Sequence, residues 1–181
     1  MEVINTELPG LKIIRPKIFQ DARGSFVKTF HQDLFREHGM NFECREEFFS
    51  TSAKDVVRGM HFQLPPAAHA KLVYCITGRV LDVVLDLRKG SPTYGKSYAR
   101  ELNASNREIF FIPIGMAHGF LALENDTTMV YQTSTPHAPT HDAGIRWDSI
   151  HFDWPVKSPI LSERDKKFPA LADFQSPFEF A

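Results

Sequence analysis

From Arg79 to Leu87 the chain reads RVLDVVLDL, a stretch that suits neither a helix nor an open loop. Alternation places Leu81, Val83, Leu85 and Leu87 on one face and Val80, Asp82, Val84 and Asp86 on the other, the period-two pattern of a β-strand. Two carboxylates therefore share a face with valines. The same reading predicts strands over Lys71–Thr77, Glu108–Pro113, Phe120–Leu123 and Thr128–Ser134, separated by turn-prone pieces such as KGSPTYGK and ENDT. Many short strands at such spacing predict an all-β barrel or sandwich. Helical pattern is confined to HQDLFREHG, where Gly39 suits a C-terminal cap, and to SERDKK, where Ser162 suits an N-cap.

At 181 residues the chain is expected to form a single domain over its whole length. The piece from about 166 onward contains four phenylalanines in FPALADFQSPFEFA. It is too apolar for a free tail and is expected to cover a core or an interface. Lys and Arg total 21 against 22 Asp and Glu, a net charge of −1. No polybasic run is present, so neither nucleic acid nor an anionic membrane is an expected partner, and an anionic ligand must be met by local clusters. No apolar run reaches the roughly 18 residues of a membrane span. Cys44 and Cys75 lack CxxC spacing, and MEVINTELPG has no leader pattern. Both points lead to an expected reducing, cytoplasmic setting.

Two short stretches carry the chemistry. IPIGMAHGF resembles the second cupin motif, P-x-G-x-x-H, through Pro113, Gly115 and His118. The first cupin motif supplies metal ligands as H-x-H and a later glutamate followed by glycine. Here those positions hold His61, Gln63, Lys71 and Gly78. Glutamine is a poor ligand, and an ammonium where a carboxylate should sit repels a cation. The expectation is a cupin-type jelly-roll barrel with a few short helices and a C-terminal extension, binding neither metal nor other cofactor. His61, in RGMHFQ, is then a candidate for proton chemistry.

RGMHFQLPP, KLVYCITG, DVVLDLRKGSPTYGK, IPIGMAHGF, the strand of Tyr131, IRWD, DWP and SPILSERD occur in that order. From about Glu7 to Asp165 this series resembles the dTDP-4-dehydrorhamnose 3,5-epimerases, metal-free cupins of nucleotide-sugar metabolism. The resemblance implies an isomerase acting on a nucleotide-diphospho-4-keto-6-deoxyhexose in deoxysugar biosynthesis for lipopolysaccharide or another polysaccharide. It implies a homodimer as well. His61 would be the base, Lys71 the stabiliser of the enolate, Tyr131 the acid on the opposite face of the sugar and Asp165 the partner of His61. Asp82, Arg58, Gln63 and His118 match further positions of the family pocket. Arg23, with Phe26 and Lys28 beside it in DARGSFVKTF, would reach the nucleotide of the neighbouring subunit.

Each residue also has a plain reading. A single strand histidine is usually satisfied in a core. Tyr131 shares a face with Met129 and Thr133 and could be a core tyrosine. Asp165 could close a capping turn begun by Ser162. Lys71 lies on a face with Val73 and Cys75, where an unpaired ammonium is costly, and Asp82 could be its partner. His31, His38, His69, His137, His141 and His151 read as surface or loop residues.

Departures from the family concern recognition. Glu46 and Phe48 stand where a Gln-x-Asn pair is usual, Pro136 where a tyrosine is usual, and Lys28 where RGFFFESF has a glutamate. Lysine offers only donors, which suits cytosine, with its N3 and O2 acceptors, better than thymine, with its N3–H. The sequence thus predicts inversion at C3, C5 or both in a dTDP-4-dehydro-6-deoxyglucose type of substrate, with a CDP-linked sugar left open by Lys28. A 3,4-ketoisomerase and a non-catalytic sugar-nucleotide-binding cupin are the alternatives.

Overall fold

The computed structural model describes residues 1–180. Two antiparallel sheets enclose a common core. One runs β1 (Glu2–Asn5), β2 (Lys12–Arg15), β10 (Ile109–Ile112), β7 (Lys71–Thr77), β12 (Thr127–Thr133), β5 (Glu46–Ser52). The other runs β13 (Asp142–Gly144), β6 (Val57–Gln63), β11 (Met116–Ala122), β8 (Arg79–Asp86), β9 (Ser97–Asn103). A separate hairpin joins β3 (Ile18–Asp21) to β4 (Gly24–Val27). The architecture is the all-β, cupin-type jelly roll that the alternation and the two motifs predicted.

Strand β8 shows why both of its faces are apolar. Val80 and Val84 point between the sheets and pack with Val73, Phe110, Phe120, Met129 and Tyr131. Val83, Leu85 and Leu87 point outward into a second cluster with Phe62, Ile145 and Phe178, flanked by Phe174 and Trp154. The last residues cover that outer face. The Phe180 N–H donates to the Lys89 carbonyl at 2.8 Å, the Lys89 N–H donates to the Phe178 carbonyl at 2.9 Å, and the Arg88 guanidinium lies 4.9 Å over the Phe180 ring. The single α-helix among the described residues, α1 (Gln32–Glu37), drives Phe35 into a third cluster with Ile14, Met40, Phe42 and Phe111. Gly39, at φ +73°, ends it as predicted.

The two carboxylates of β8 have different fates. Asp86 is structural: it receives Arg88 Nε and Nη2 at 2.8 Å each, with the Ser91 and Thr93 hydroxyls at 2.6 and 2.7 Å. Burial opposes its ionisation, but these donors outweigh burial and hold its pKa below the usual range. Asp82 faces the cavity described below.

Several elements differ from the sequence reading. The strand expected at Phe120–Leu123 begins at Met116, because small residues and a histidine hide the alternation of Met116, His118, Phe120 and Ala122. The helix expected at SERDKK is one 3-10 turn, Asp165–Lys167, whose first N–H donates to Ser162 Oγ at 3.1 Å. Strands β1 to β4 are four residues each, too short to show a period.

Candidate active site

The barrel opens into a cavity of about 340 Å³ whose walls come from both sheets. The five-stranded sheet contributes Arg58, His61 and Gln63 from β6, His118 from β11 and Asp142 from β13, while the six-stranded sheet contributes Lys71, Tyr131, Glu46, Phe48 and Ser50. Register explains the assembly. His61 lies directly opposite His118 across β6 and β11, so both side chains leave the same face. On the other sheet Lys71 is opposite Thr133, and Tyr131 is opposite both Val73 and Phe48. The β6–β11 approach needs glycine: a Cβ on Gly59 would meet Gly119 Cα at 2.5 Å, and Gly59 has φ +144°.

His61 sits between two partners. Its Nε2 is 3.0 Å from Asp165 Oδ1 and 3.0 Å from Arg164 Nη2, while Nδ1 has no protein partner among the described residues. The Asp165 Oδ2 accepts the Gly59 N–H at 3.2 Å. The Asp165 side chain therefore serves His61, the β6 backbone and Arg164, while its main-chain N–H donates to Ser162 Oγ. Burial opposes ionisation of Asp165, but His61, the Gly59 N–H and Ser162 outweigh it and draw its pKa to about 2. Burial pushes the His61 pKa below the usual histidine range; Asp165 resists this shift, and the charges of Lys71 and Arg164 add to it. At neutral pH the pair is a carboxylate and a neutral imidazole.

Lys71 Nζ donates to the His61 carbonyl at 3.1 Å and so bridges the two sheets. Burial lowers its pKa to about 8, with Asp142 and Asp82 partly opposing. Asp82 is not its direct ion-pair partner, as the sequence suggested. The Asp82 carboxylate instead takes His118 Nε2 at 3.0 and 2.9 Å, with both groups buried. Burial raises the Asp82 pKa against the pull of His118 and Lys71.

Tyr131 is buried, its hydroxyl 3.1 Å from Ser50 Oγ. The Phe48 ring stacks on it at 4.8 Å and 14°, and the His118 ring meets its edge at 6.1 Å. Burial raises its pKa above the ordinary phenol value, with Ser50 opposing. The hydroxyl thus keeps its proton at neutral pH. Arg58 lines the cavity, anchored through Nε to Ser52 Oγ at 3.0 Å and through Nη2 to the Thr51 carbonyl at 3.3 Å.

Other expected site residues are engaged within the protein or lie apart from the cavity. Gln63 was expected to touch substrate, yet its amide is engaged by the protein: Nε2 donates to the Ala67 and Pro136 carbonyls at 2.8 and 3.3 Å, and Oε1 accepts the Ala138 N–H at 2.7 Å. It clamps two loops. Arg23, Phe26 and Lys28 lie on or beside the hairpin, outside this cavity. Arg23 pairs with Asp21 at 2.5 Å, and Phe26 is 61% exposed. Glu46 lines the cavity rim and accepts the His137 N–H.

The sequence reading missed Ser50, Arg164 and Asp142, and it placed His69 and His137 at the surface or in loops; both do lie in loops, and those loops line the cavity. His69 Nδ1 lies 3.2 Å from the Gln63 amide, and burial lowers its pKa to about 3. AAHAKLV gave a signal for it, since a residue two before a buried lysine falls at the mouth of the same strand.

The family model for dTDP-4-dehydrorhamnose 3,5-epimerase matches residues 5–173. The enzyme of that name from Shigella flexneri is 44% identical over 168 residues, covering 91% of this chain and 93% of its own. That from Methanothermobacter thermautotrophicus is 41% identical, covering 94% of each. Among solved structures, the Legionella pneumophila dTDP-6-deoxy-D-glucose-3,5-epimerase in complex with dTDP-4-keto-L-rhamnose superposes with a TM-score of 0.94 at 34% identity, covering 99% of both chains. A Streptomyces bikiniensis 3′-monoepimerase in complex with dTDP-quinovose gives 0.87 at 31% identity, covering 92% of this chain and 86% of its own. Sequence, fold and the ordered cavity agree, and the chain belongs to the dTDP-4-dehydrorhamnose 3,5-epimerase family.

Proposed function

We propose that this chain is an isomerase that inverts C3, C5 or both in a nucleotide-diphospho-4-keto-6-deoxyhexose. The observation that carries the reading is that a neutral histidine and a protonated tyrosine come from opposite sheets and line one cavity, with a lysine between the sheets. The protons at C3 and C5 are α to the C4 carbonyl. Inversion requires a base on one side, charge stabilisation at the developing enolate oxygen, and an acid on the other side. His61, its Nε2–H turned to Asp165, takes the proton on Nδ1. Lys71 holds the enolate oxygen, and Tyr131 delivers a proton from the far wall. Re-protonation there inverts the centre, and before the next cycle His61 must lose its proton to solvent and the Tyr131 phenolate must regain one. His118, fixed by Asp82, forms the floor beside Tyr131, and Arg58 suits a diphosphate by its planar fork. The chemistry assigns no step to a metal or other cofactor.

A dTDP-linked sugar is supported by the names of the relatives, and Lys28 alone argues for a base with an acceptor at N3. A homodimer is part of the proposal. The hairpin leaves Phe19 and Phe26 at 49% and 61% exposure, an apolar surface suited to a second copy, and Arg23 beside it would reach that copy's nucleotide. Both cysteines are free, consistent with the reducing cytoplasm proposed as its location. No described helix is long and apolar enough to cross a membrane. Incubation of dTDP-4-keto-6-deoxyglucose with the protein in D₂O, read by mass and NMR, tests the activity and its position together. Deuterium at C3, C5 or both with inverted configuration is expected. A ketone moved to C3 would establish the ketoisomerase, and binding without exchange would leave only the sugar-nucleotide-binding module.

A further inference from the structure

Arg164 has no part in the mechanism above, yet it touches the imidazole and both carboxylates on the His61 side. Its Nη2 lies 3.0 Å from His61 Nε2, its Nε lies 3.4 Å from Asp165 Oδ1, and its Nη1 is anchored on Asp142 Oδ2. Its guanidinium also faces the Phe168 ring at 5.6 Å, and that ring meets the edge of His61 at 5.6 Å. The Phe168 ring fits there because Gly144, opposite His61 on β13, has no side chain: a Cβ would fall 2.4 Å from it.

A single imidazole nitrogen cannot serve both partners at once. If Nε2 carries the proton, it donates to Asp165, the Nδ1 lone pair is free, and the Arg164 N–H groups face another donor. If Nε2 is bare, it accepts from Arg164, the proton moves to Nδ1, and the ring turns a donor toward its free side. We infer that Arg164 is a positioning residue that competes with Asp165 for His61 Nε2 and thereby sets which ring nitrogen carries the proton. The anchor on Asp142 keeps the cation in place while the balance changes. Arg164 also disfavours the imidazolium, which must present an N–H at Nε2. The other charged or titratable groups around the ring are Lys71 on β7, His118 opposite on β11, Arg58 on β6 and His69 in the preceding loop, and none of these contacts Nε2.

The inference rests on the epimerase reading only for its kinetic consequence, so the decisive measurement is made on the free protein. Histidine ring ¹³C and ¹⁵N signals are followed against pH in wild type, Arg164→Met and Arg164→Lys, with the His61 signal assigned by its loss in His61→Asn. In Arg164→Met the His61 midpoint is expected to rise by about one pH unit, as for removal of one neighbouring like charge. The ¹⁵N shifts of the neutral ring should move toward the Nε2–H form. Arg164→Lys keeps the charge but not the planar fork, and should restore the midpoint more fully than the tautomer. Arg164 is half exposed, so folding is expected to survive, and Asp142→Asn gives an independent arm in which the loosened cation produces a smaller change in the same direction. An unchanged or lowered midpoint in Arg164→Met, with no tautomer change in either variant, overturns the inference. If the signals move as expected but the wild type exchanges no substrate proton, the positioning role stands and the epimerase reading falls.

Discussion

The cavity between the sheets and the β3–β4 hairpin carry the two halves of the expected site, and they are built in opposite ways. In the cavity, His61, Lys71, Tyr131, Asp82 and His118 are partly or wholly buried, each fixed by a partner at hydrogen-bond distance within the same chain. On the hairpin, Arg23, Phe26 and Lys28 are exposed, and the strands pair only with each other. Proton transfer tolerates little misplacement, so its groups are held by rigid strands. The hairpin has its own Phe19–Phe26 contact at 6.2 Å, but its exposed strands leave room for something to pack against them. Under the proposed function that something is a second copy. The comparison predicts that cavity changes remove turnover, while hairpin changes weaken binding or alter its selectivity.

The largest effect is expected at His61. His61→Asn should abolish deuterium incorporation at every carbon, because His61 combines a carboxylate partner with partial exposure to the cavity, whereas His118 is fully buried on Asp82. Exchange at the wild-type rate in a folded variant would remove His61 as the base and end the contrast between the two regions.

Next comes Lys71→Ala, with an expected loss of about 2.7–4 kcal/mol in transition-state stabilisation, a hundred- to thousandfold in kcat, as for removal of one oxyanion donor. A loss below tenfold would make Lys71 a binding residue. The same two groups set the pH profile. The base must be neutral, and its pKa is lowered, so activity is lost only as pH falls below the usual histidine range. The enolate donor must be charged, so activity is lost as pH rises through about 8. Measured kcat/KM should be flat between these limits. An alkaline limb that persists in Lys71→Ala would assign it to another group.

Tyr131→Phe should be milder for exchange than for inversion. His61 can still remove a proton and return deuterium to its own side, so label should enter while inverted product falls. Equal loss of both would place Tyr131 in the core or on the substrate, rather than in the acid role.

Strand periodicity set the faces of Lys71, with Val73 and Cys75, and of Tyr131, with Met129, while the chemical roles of these two and of His61 came from the resemblance. The partners were less legible. Asp165 lies 104 positions from His61, and its local setting, four residues into SERD, reads equally as a capping turn. Only the resemblance gave it a role in advance. Arg164 next to it had no signal at all. Asp82 was rightly placed on an inward face but given the wrong neighbour, since alternation within one strand says nothing about which strand lies alongside. His118 is two positions off the Phe120–Asp82 pair on β11 and β8, a fact of register that no single strand reveals. Gln63 lines the cavity as expected, but its bonds to the Pro136 carbonyl and the Ala138 N–H, more than seventy positions away, had no signal in the local sequence.

On the hairpin the expected effects are smaller. Arg23→Ala should raise KM by about tenfold and leave kcat unchanged, the value of roughly one charge-assisted hydrogen bond. It should do so only if Arg23 leaves Asp21, its partner in the single chain. Sedimentation in the same samples reports whether a dimer is present to receive it. A fall in kcat with KM unchanged would show that the hairpin acts on chemistry and would break the division between the two regions.

The smallest expected effect concerns the base itself. Lys28 follows β4, is exposed and lies outside the cavity of its own chain. At this position the family usually has a glutamate, an acceptor suited to the N3–H of thymine. A lysine facing thymine meets a donor with a donor, whereas cytosine offers it N3 and O2. Leaving one polar group unpaired costs on the order of 1–3 kcal/mol when buried, and an exposed lysine should fall at the low end. Calorimetry with CDP and dTDP is therefore expected to show a preference for CDP of about tenfold or less, and Lys28→Glu should shift it toward dTDP. Equal affinities in the wild type, or no shift in the variant, would place Lys28 in solvent or on a phosphate. Thymine, the base in the names of the relatives, would then stand, and the hairpin would contribute through Arg23 and Phe26 alone.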